Sequence, residues 1–218
     1  MVSVYYVEGK DMYIETKRLV LRELLEEEAE VLLEISNDKQ VKKYHPAFFE
    51  NSTLDFIKTA ISYFQSNAKI GVKNPEHGFL LAVCLKDTGE VVGVITLNSK
   101  KEPPKEWQIG WYFLSRYTGK GYASEAGAAA SDYFLEYLSL DYISAGVRVD
   151  NPASFRTAQK SGFTLIEKRI PYNAYESCHI NDFNAVAHYF SNIPCERANG
   201  NWFYFQKLNK NRSIEKNN

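Results

Sequence analysis

Apolar and polar positions along the chain switch between a period of two and a period near 3.6, marking a succession of strands and helices. Tyr13 to Leu21 reads as a first strand, and Glu26 to Ile35 as a helix with Ala29, Leu32 and Leu33 apolar and acids at its N-terminal end. Ser52 and Asp55 match a capping box ahead of a helix through Phe56, Ile57, Ala60, Ile61 and Phe64. Phe79 to Leu85 and Glu90 to Leu97 predict a hairpin around Asp87-Thr88-Gly89. Trp107 to Leu114 is rich in aromatic and β-branched residues, as a buried strand should be. After it, Ala126, Ala129, Ala130, Tyr133, Phe134, Tyr137 and Leu138 recur at helical spacing. Tyr142 to Val149 alternates again, with Ile143, Ala145, Val147 and Val149 on one face. A helix then opens at Asn151-Pro152 and closes at Gly162. Thr164 to Ile170 and Trp202 to Leu208 complete the strands.

No repeat or linker divides this pattern, which predicts one α/β domain over 1–218 with its core about 13–208. Thirty residues, Tyr172 to Asn201, separate the last two strands. That is longer than ordinary loops, so they are read as an insertion with a role of its own or as a cover for the sheet. Within them Asp182 to Phe190 has the pattern of a capped helix. The polar residues 209–218 form a frayed tail.

Composition narrows the class without naming an activity. A chain of 218 residues, 44% hydrophobic and 24% charged, suits a globular domain with a sizeable core. Lys and Arg total 26 against 27 acids, which argues against a nucleic-acid or membrane partner. No apolar run is long enough to span a bilayer, and residues 1–10 lack a signal-peptide core. Three cysteines, Cys84, Cys178 and Cys195, cannot all pair, and reduced thiols point to the cytoplasm. Cys84 lies mid-strand, where a core thiol is expected. The four histidines have no metal-ligand spacing, so no metal is expected.

The candidate chemistry sits at two strand–helix junctions. Arg116-Tyr117-Thr118-Gly119-Lys120-Gly121-Tyr122-Ala123 is a glycine-rich turn opening directly into a helix, a geometry that offers free N–H groups and a positive dipole end to phosphate oxygens. A Walker loop is excluded because Gly121 follows Lys120. A dinucleotide fingerprint is excluded because Ser124 stands where its third glycine belongs. Some thirty residues on, Asn151 and Ser154 lie together at a second helix mouth; on local pattern alone Asn151 is an N-cap.

Arg116-x-x-Gly119-x-Gly121-x-Ala123, then Asn151-x-x-Ser154, then Lys160-x-Gly162-Phe163, resembles the GNAT superfamily of acetyl-CoA-dependent N-acetyltransferases. Glu15 to Arg22 resembles the entry strand of the branch that contains the ribosomal-protein N-terminal acetyltransferases. Each motif is weak alone; their order and spacing together are specific. The resemblance covers residues 13–170 and the strand Trp202 to Leu208. It implies a mixed, mostly antiparallel sheet splayed at its central strands and flanked by helices. It implies direct transfer of an acetyl group from acetyl-CoA to a primary amine in a ternary complex. Phe113 and Leu114 would lie along the pantetheine. Arg116, Thr118, Gly119, Gly121 and Tyr122 would hold the pyrophosphate, and Asn151 would bond the pantetheine arm. Ser154 would donate to the leaving sulfur, with a tyrosine as the other candidate. By the same resemblance Tyr44-His45-Pro46-Ala47-Phe48-Phe49 walls the acceptor pocket or packs in the core. The resemblance does not reach the segment 172–201, which is read as an acceptor-site wall or a homodimer contact, or as a cover for the sheet.

The base departs from the family pattern. Members of this branch often carry a carboxylate before the Ile-Gly pair of the central strand, where this chain has Gln108, which cannot accept a proton. Glu106 shares its face roughly 7 Å back along the strand. It is either a base acting through water or a solvated strand-end acid. Holding an α-amine neutral at pH 7 costs roughly 1 to 1.4 kcal/mol, against nearly 5 for a lysine. A remote base therefore favours a protein or peptide N-terminus, or a small amine of low pKa. The alternative function is a CoA-binding module that has lost its activity, for which Gln108 is the hint.

Overall fold

The computed structural model describes residues 3–4, 12–45, 48–49, 52–69, 78–99, 106–169 and 202–211. Its first finding is a correction. Tyr13 to Leu21 is not one strand but a hairpin, β2 (Tyr13–Glu15) and β3 (Leu19–Glu23), antiparallel with Ile14 opposite Leu21. The cause is Thr16. Its N–H donates to the Leu19 carbonyl at 2.9 Å, and its hydroxyl oxygen accepts from the Leu19 N–H at 2.9 Å. Ile14 and Thr16 are buried on one side of the turn, Leu19 and Leu21 on the other. Ahead of the hairpin, β1 (Ser3–Val4) pairs with β2.

Helices follow. Glu26–Glu28 forms a 3-10 turn leading into α1 (Ala29–Asn37), and Asp38 then caps α2 (Lys39–Tyr44), a short helix that the sequence pattern does not announce. In α3 (Leu54–Lys69) the start lies one residue beyond the expected cap: the Phe56 N–H donates to the hydroxyl of Thr53, not of Ser52. The hairpin β4 (Phe79–Leu85) and β5 (Val91–Ser99) forms as expected, turning at Gly89 with φ 73°. The rest of the described chain is β6 (Trp107–Phe113), α4 (Tyr122–Tyr137), β7 (Tyr142–Arg148), α5 (Pro152–Lys160), β8 (Thr164–Arg169) and β9 (Trp202–Leu208). The helix pattern at Asp182 to Phe190 lies outside the described residues.

The described strands form one sheet in the order β1-β2-β3-β4-β5-β6-β7-β9-β8, with every neighbouring pair antiparallel except β6 and β7. Alternation divides the side chains between two cores. One lies against α4 and α5 and contains Leu21, Val92, Ile109, Ala129, Phe134, Ile143 and Phe205. The other lies under α1 and α3 and contains Leu32, Ile35, Phe48, Ile57, Val94 and Tyr112. Each fully buried side chain of this size contributes about 1.5–3 kcal/mol. Cys84 is buried in the second core.

Two helix ends close with the same hydrogen-bond pattern and different residues. At α5, Gly162 has φ 86°, its N–H donating to Gln159 and that of Phe163 to Ala158. At α4, the equivalent position is Ser139 at φ 53°, with its N–H on Glu136 and that of Leu140 on Leu135. A left-handed residue with a Cβ is strained. Ser139→Gly should therefore stabilise the fold by about 0.5–1 kcal/mol and raise Tm by about 2 °C. A thermal melt that falls would show that the serine side chain compensates its backbone.

Candidate active site

The sheet is held together unevenly. β5 and β6 are in register over seven residue pairs, from Gly93–Phe113 to Ser99–Trp107, and β7 and β9 over seven, from Tyr142–Leu208 to Arg148–Trp202. Between them β6 and β7 share one, Gln108 with Ser144, and then diverge. The Leu114 N–H donates to Val92 on β5, so by strand alternation the main-chain groups of Trp111 and Phe113 face β7 across the gap. Leu114 differs. Its N–H is used by Val92 and its carbonyl accepts from Tyr117, so both groups serve the fold.

On the face carrying α4 and α5, both junctions end beside this gap. The first runs from β6 through a 3-10 turn, Ser115–Tyr117, into α4. Gly119 and Gly121 have φ 77° and 79°, and no atom lies within 4 Å of where a Gly119 Cβ would stand. The turn is therefore open above Gly119, whereas Arg18 stands 3.4 Å from where a Gly121 Cβ would lie. The first helical bond of α4 runs from the Glu125 N–H to the Gly121 carbonyl, so the amides of Tyr122, Ala123 and Ser124 precede the ladder. Thr118 closes the turn by donating its hydroxyl to Ser115 O at 2.8 Å. The Arg116 guanidinium forks onto Glu34 of α1 and ties the turn to that helix.

A second clamp comes from the Thr16–Leu19 hairpin, which sequence reasoning quoted only as a family signature. Arg18 donates through Nε to Glu125 at 2.7 Å and through a terminal nitrogen to the Lys120 carbonyl at 2.9 Å, and its guanidinium covers the Tyr122 ring at 4.6 Å. Thr16 donates its hydroxyl to the same carboxylate at 2.6 Å. Burial opposes ionisation of Glu125, but the hydrogen bonds from Thr16 and Arg18 outweigh it and lower the pKa. The carboxylate thus stays charged and fixed.

At the second junction Asn151 caps α5, its Oδ1 accepting from the Ser154 N–H at 3.0 Å. The Trp111 indole N–H donates to Ser154 Oγ at 3.1 Å. The serine proton remains to be donated elsewhere, and the indole holds the oxygen that carries it.

The opposite face carries Glu106, Gln108, Gly110 and Tyr112 from the β6 segment, Ser144, Gly146 and Arg148 from β7, and Trp202, Tyr204 and Gln206 from β9. Glu106 is buried, at 6% exposure, and is not a solvated strand-end acid. Tyr204 donates its phenol to Glu106 Oε2 at 2.5 Å and accepts from Gln206 Nε2 at 3.0 Å. Burial and the bond to Glu106 push the Tyr204 phenol up to about 12. It therefore stays a donor across the physiological range. A Cβ on Gly146 would stand 3.0 Å from Gln108 Nε2 and 3.5 Å from the Trp202 ring, so its absence lets side chains from β6 and β9 meet above β7.

The aromatic run divides between core and site. Phe48 and Phe49 are core residues, Phe48 stacked on Tyr112 at 3.8 Å. Tyr44 reaches the Asp150 carbonyl at 3.3 Å, and His45 lies edge-on to Tyr112 at 5.2 Å and to Trp202 at 6.2 Å. Arg148 forks onto Asp150 through two 2.9 Å bonds. Pro46 and Ala47, and the insertion at 172–201, lie outside the described residues.

Known proteins share this fold. The acetyltransferase (GNAT) domain family matches residues 18–164. The uncharacterized N-acetyltransferase YnaD of Bacillus subtilis (strain 168) is 31% identical over 153 residues, which span 69% of this chain and 82% of that protein. A GNAT-family acetyltransferase from Bacillus anthracis shares the fold at TM-score 0.63 and 24% identity, over 90% of this chain and 98% of that one. RimL, a ribosomal L7/L12 α-N-protein acetyltransferase in complex with coenzyme A, shares it at TM-score 0.64 and 15% identity, over 88% and 95% of the two chains. The chain belongs to the GNAT acetyltransferase family and is an N-acetyltransferase.

His45 gives this site a signature in pH. Burial and the charge of Arg148 push its imidazole down to about 4. The unfolded chain, with histidine near 6.5, takes up its proton first. The stability that comes from a neutral His45 is complete above pH 6.5 and is lost as the pH falls to about 4. Between pH 6.5 and 5, above the carboxylate range, the wild-type Tm should fall more steeply than that of His45→Phe. Parallel slopes would mean that His45 is protonated in the fold.

Proposed function

We propose that this protein transfers the acetyl group of acetyl-CoA to an α-amine, that of a protein or peptide N-terminus or of a small molecule of similar pKa. One observation carries this reading. Ser154, a hydroxyl donor, stands beside the gap on one face of the sheet, and Glu106, a buried carboxylate, stands on the other face, two residues before the Gln108–Ser144 pair at which the gap begins. A thioester reaching through the gap would meet the first at its sulfur and the second near its attacking amine. RimL, similar in fold, is in complex with coenzyme A and by its description acts on an N-terminus.

The residues fit the donor. The turn is open above Gly119, and the amides at the start of α4 would face pyrophosphate oxygens held there. The main chain of Phe113 and Trp111 edges the gap that the pantetheine would follow. Asn151 has given its Oδ1 to the helix cap, which leaves its amide nitrogen as the donor to that arm. Acetyl-CoA supplies an activated acyl group with a thiolate leaving group; the protein's part is to bind, orient and move two protons. Ser154, its oxygen held by Trp111, gives its proton toward the sulfur. Glu106, its Oε2 held by Tyr204, takes the amine proton, directly or through water. Gln108 orients without titrating. The step from Glu106 favours an amine whose neutral form costs only about 1 to 1.4 kcal/mol at pH 7, which disfavours lysine side chains.

Thiol release from acetyl-CoA, measured with peptides of varied free N-termini and with small amines, tests the reading. Release with neither pool would overturn it. With the better pool, Ser154→Ala should lower kcat about 10- to 100-fold with acetyl-CoA KM nearly unchanged. Glu106→Gln should lower kcat/KM at pH 7 about 100-fold or more and recover part of it above pH 8.5, where the amine is already neutral. Full activity of Glu106→Gln at pH 7 would assign the base elsewhere.

A further inference from the structure

We infer that α2 is a strut joining the two CoA-binding junctions across the acceptor side of the gap, with Asp38 as the positioning residue at one end and Tyr44 at the other. The inference rests on the acetyl-CoA reading above. Asp38 stands between α1 and α2. Its Oδ1 accepts from the Gln40 N–H at 2.8 Å and so caps α2. The same carboxylate accepts from the Ser115 N–H at 2.8 Å through Oδ2 and from the Ser115 hydroxyl at 2.6 Å through Oδ1. Ser115 opens the 3-10 turn of the first junction. One carboxylate therefore fixes the start of α2 and the start of the phosphate-binding turn in a single hydrogen-bonded unit.

At the other end of α2, the Tyr44 phenol donates to the Asp150 carbonyl, one residue before the cap of α5. The next residue, His45, packs on Tyr112 of β6 and Trp202 of β9. α2 thus bonds to the chain just after β6 and just after β7, the two strands whose ladder stops at one pair. The pattern of Lys39–Tyr44, with Val41 its one buried residue, supports this reading. Such a helix is poorly anchored by its core face and owes its position to its ends. A ligand that draws the two junctions to a fixed spacing loads the strut, and a strut already in place favours that ligand.

Hydrogen exchange read by mass spectrometry, with and without saturating acetyl-CoA, tests this. In the wild type, acetyl-CoA should slow exchange of the amides from Gln40 to His45 by about fivefold or more, the lower end of coupling between separate sites. In Asp38→Asn, which keeps an oxygen for the Gln40 cap but sets an amide against the Ser115 N–H, the slowing should fall below about twofold. By reciprocity acetyl-CoA should bind that variant up to about fivefold more weakly. Tyr44→Phe, which leaves the cap untouched, should reduce the effect from the other end. Protection confined to residues 115–125, or slowing in α2 that survives both substitutions, would overturn the strut while leaving the donor site intact. Absence of binding and of protection at both places would overturn the donor reading and the strut with it.

Discussion

The pairing of β6 with β7 limits everything else in this fold. Each of these strands is bound on its outer side over seven residue pairs, so each belongs to a stiff half-sheet. Between the halves the ladder stops after Gln108 and Ser144. Main-chain groups on the facing edges beyond that point are not paired by β7, and a buried group left without a partner costs about 1–3 kcal/mol. Such an opening persists only if other contacts hold the halves at that spacing. On one face Trp111 reaches from β6 to Ser154 beyond β7. On the other Glu106 meets Tyr204 of β9. The groups that make these two contacts, Ser154 and Glu106, are also those proposed to act on what enters the gap.

The glycine turn presents a related problem, since left-handed glycines are the positions the chain orders least willingly. Its answer comes from the N-terminal hairpin. Thr16, Arg18 and Glu125 converge, and Arg18 also grips the Lys120 carbonyl between the two glycines. An ion pair as exposed as Arg18–Glu125 adds about 0–1 kcal/mol to stability. Its value here is geometric, because it fixes a backbone that carries two left-handed glycines.

Much of this was legible in the chain itself. The strand at Trp107, the hairpin at Gly89 and the cap at Asn151 follow from residue type and turn chemistry, the strand at Trp202 from the family resemblance, and the open turn before α4 from two glycines between a strand and a helix. The hairpin at Thr16 left a trace that a single-strand reading passes over: the buried parity moves from Ile14 and Thr16 to Leu19 and Leu21. α2 left almost none, because Lys39–Tyr44 buries one residue and is set by Asp38 and Ser115, 77 positions apart. Trp111 with Ser154 and Tyr204 with Glu106 were beyond reach for another reason. Each contact depends on which residue of β7 lies between its partners, and register is a property of the assembled sheet. The small side of β7, Ser144 and Gly146, makes sense only once β9 is known to lie next to it.

The position of β9 has a consequence in time. It is the last of the described strands in sequence, yet it lies between β7 and β8, both of which precede it. A growing chain can lay down the glycine turn, its Arg18 clamp and both helix mouths while this slot stands open. Glu106 at that stage has no Tyr204, whose codon comes 98 places later. The chain thus emerges with the residues proposed to hold the donor well before those proposed to meet the acceptor. The carboxylate proposed as base is secured only when β9 enters the slot between β7 and β8.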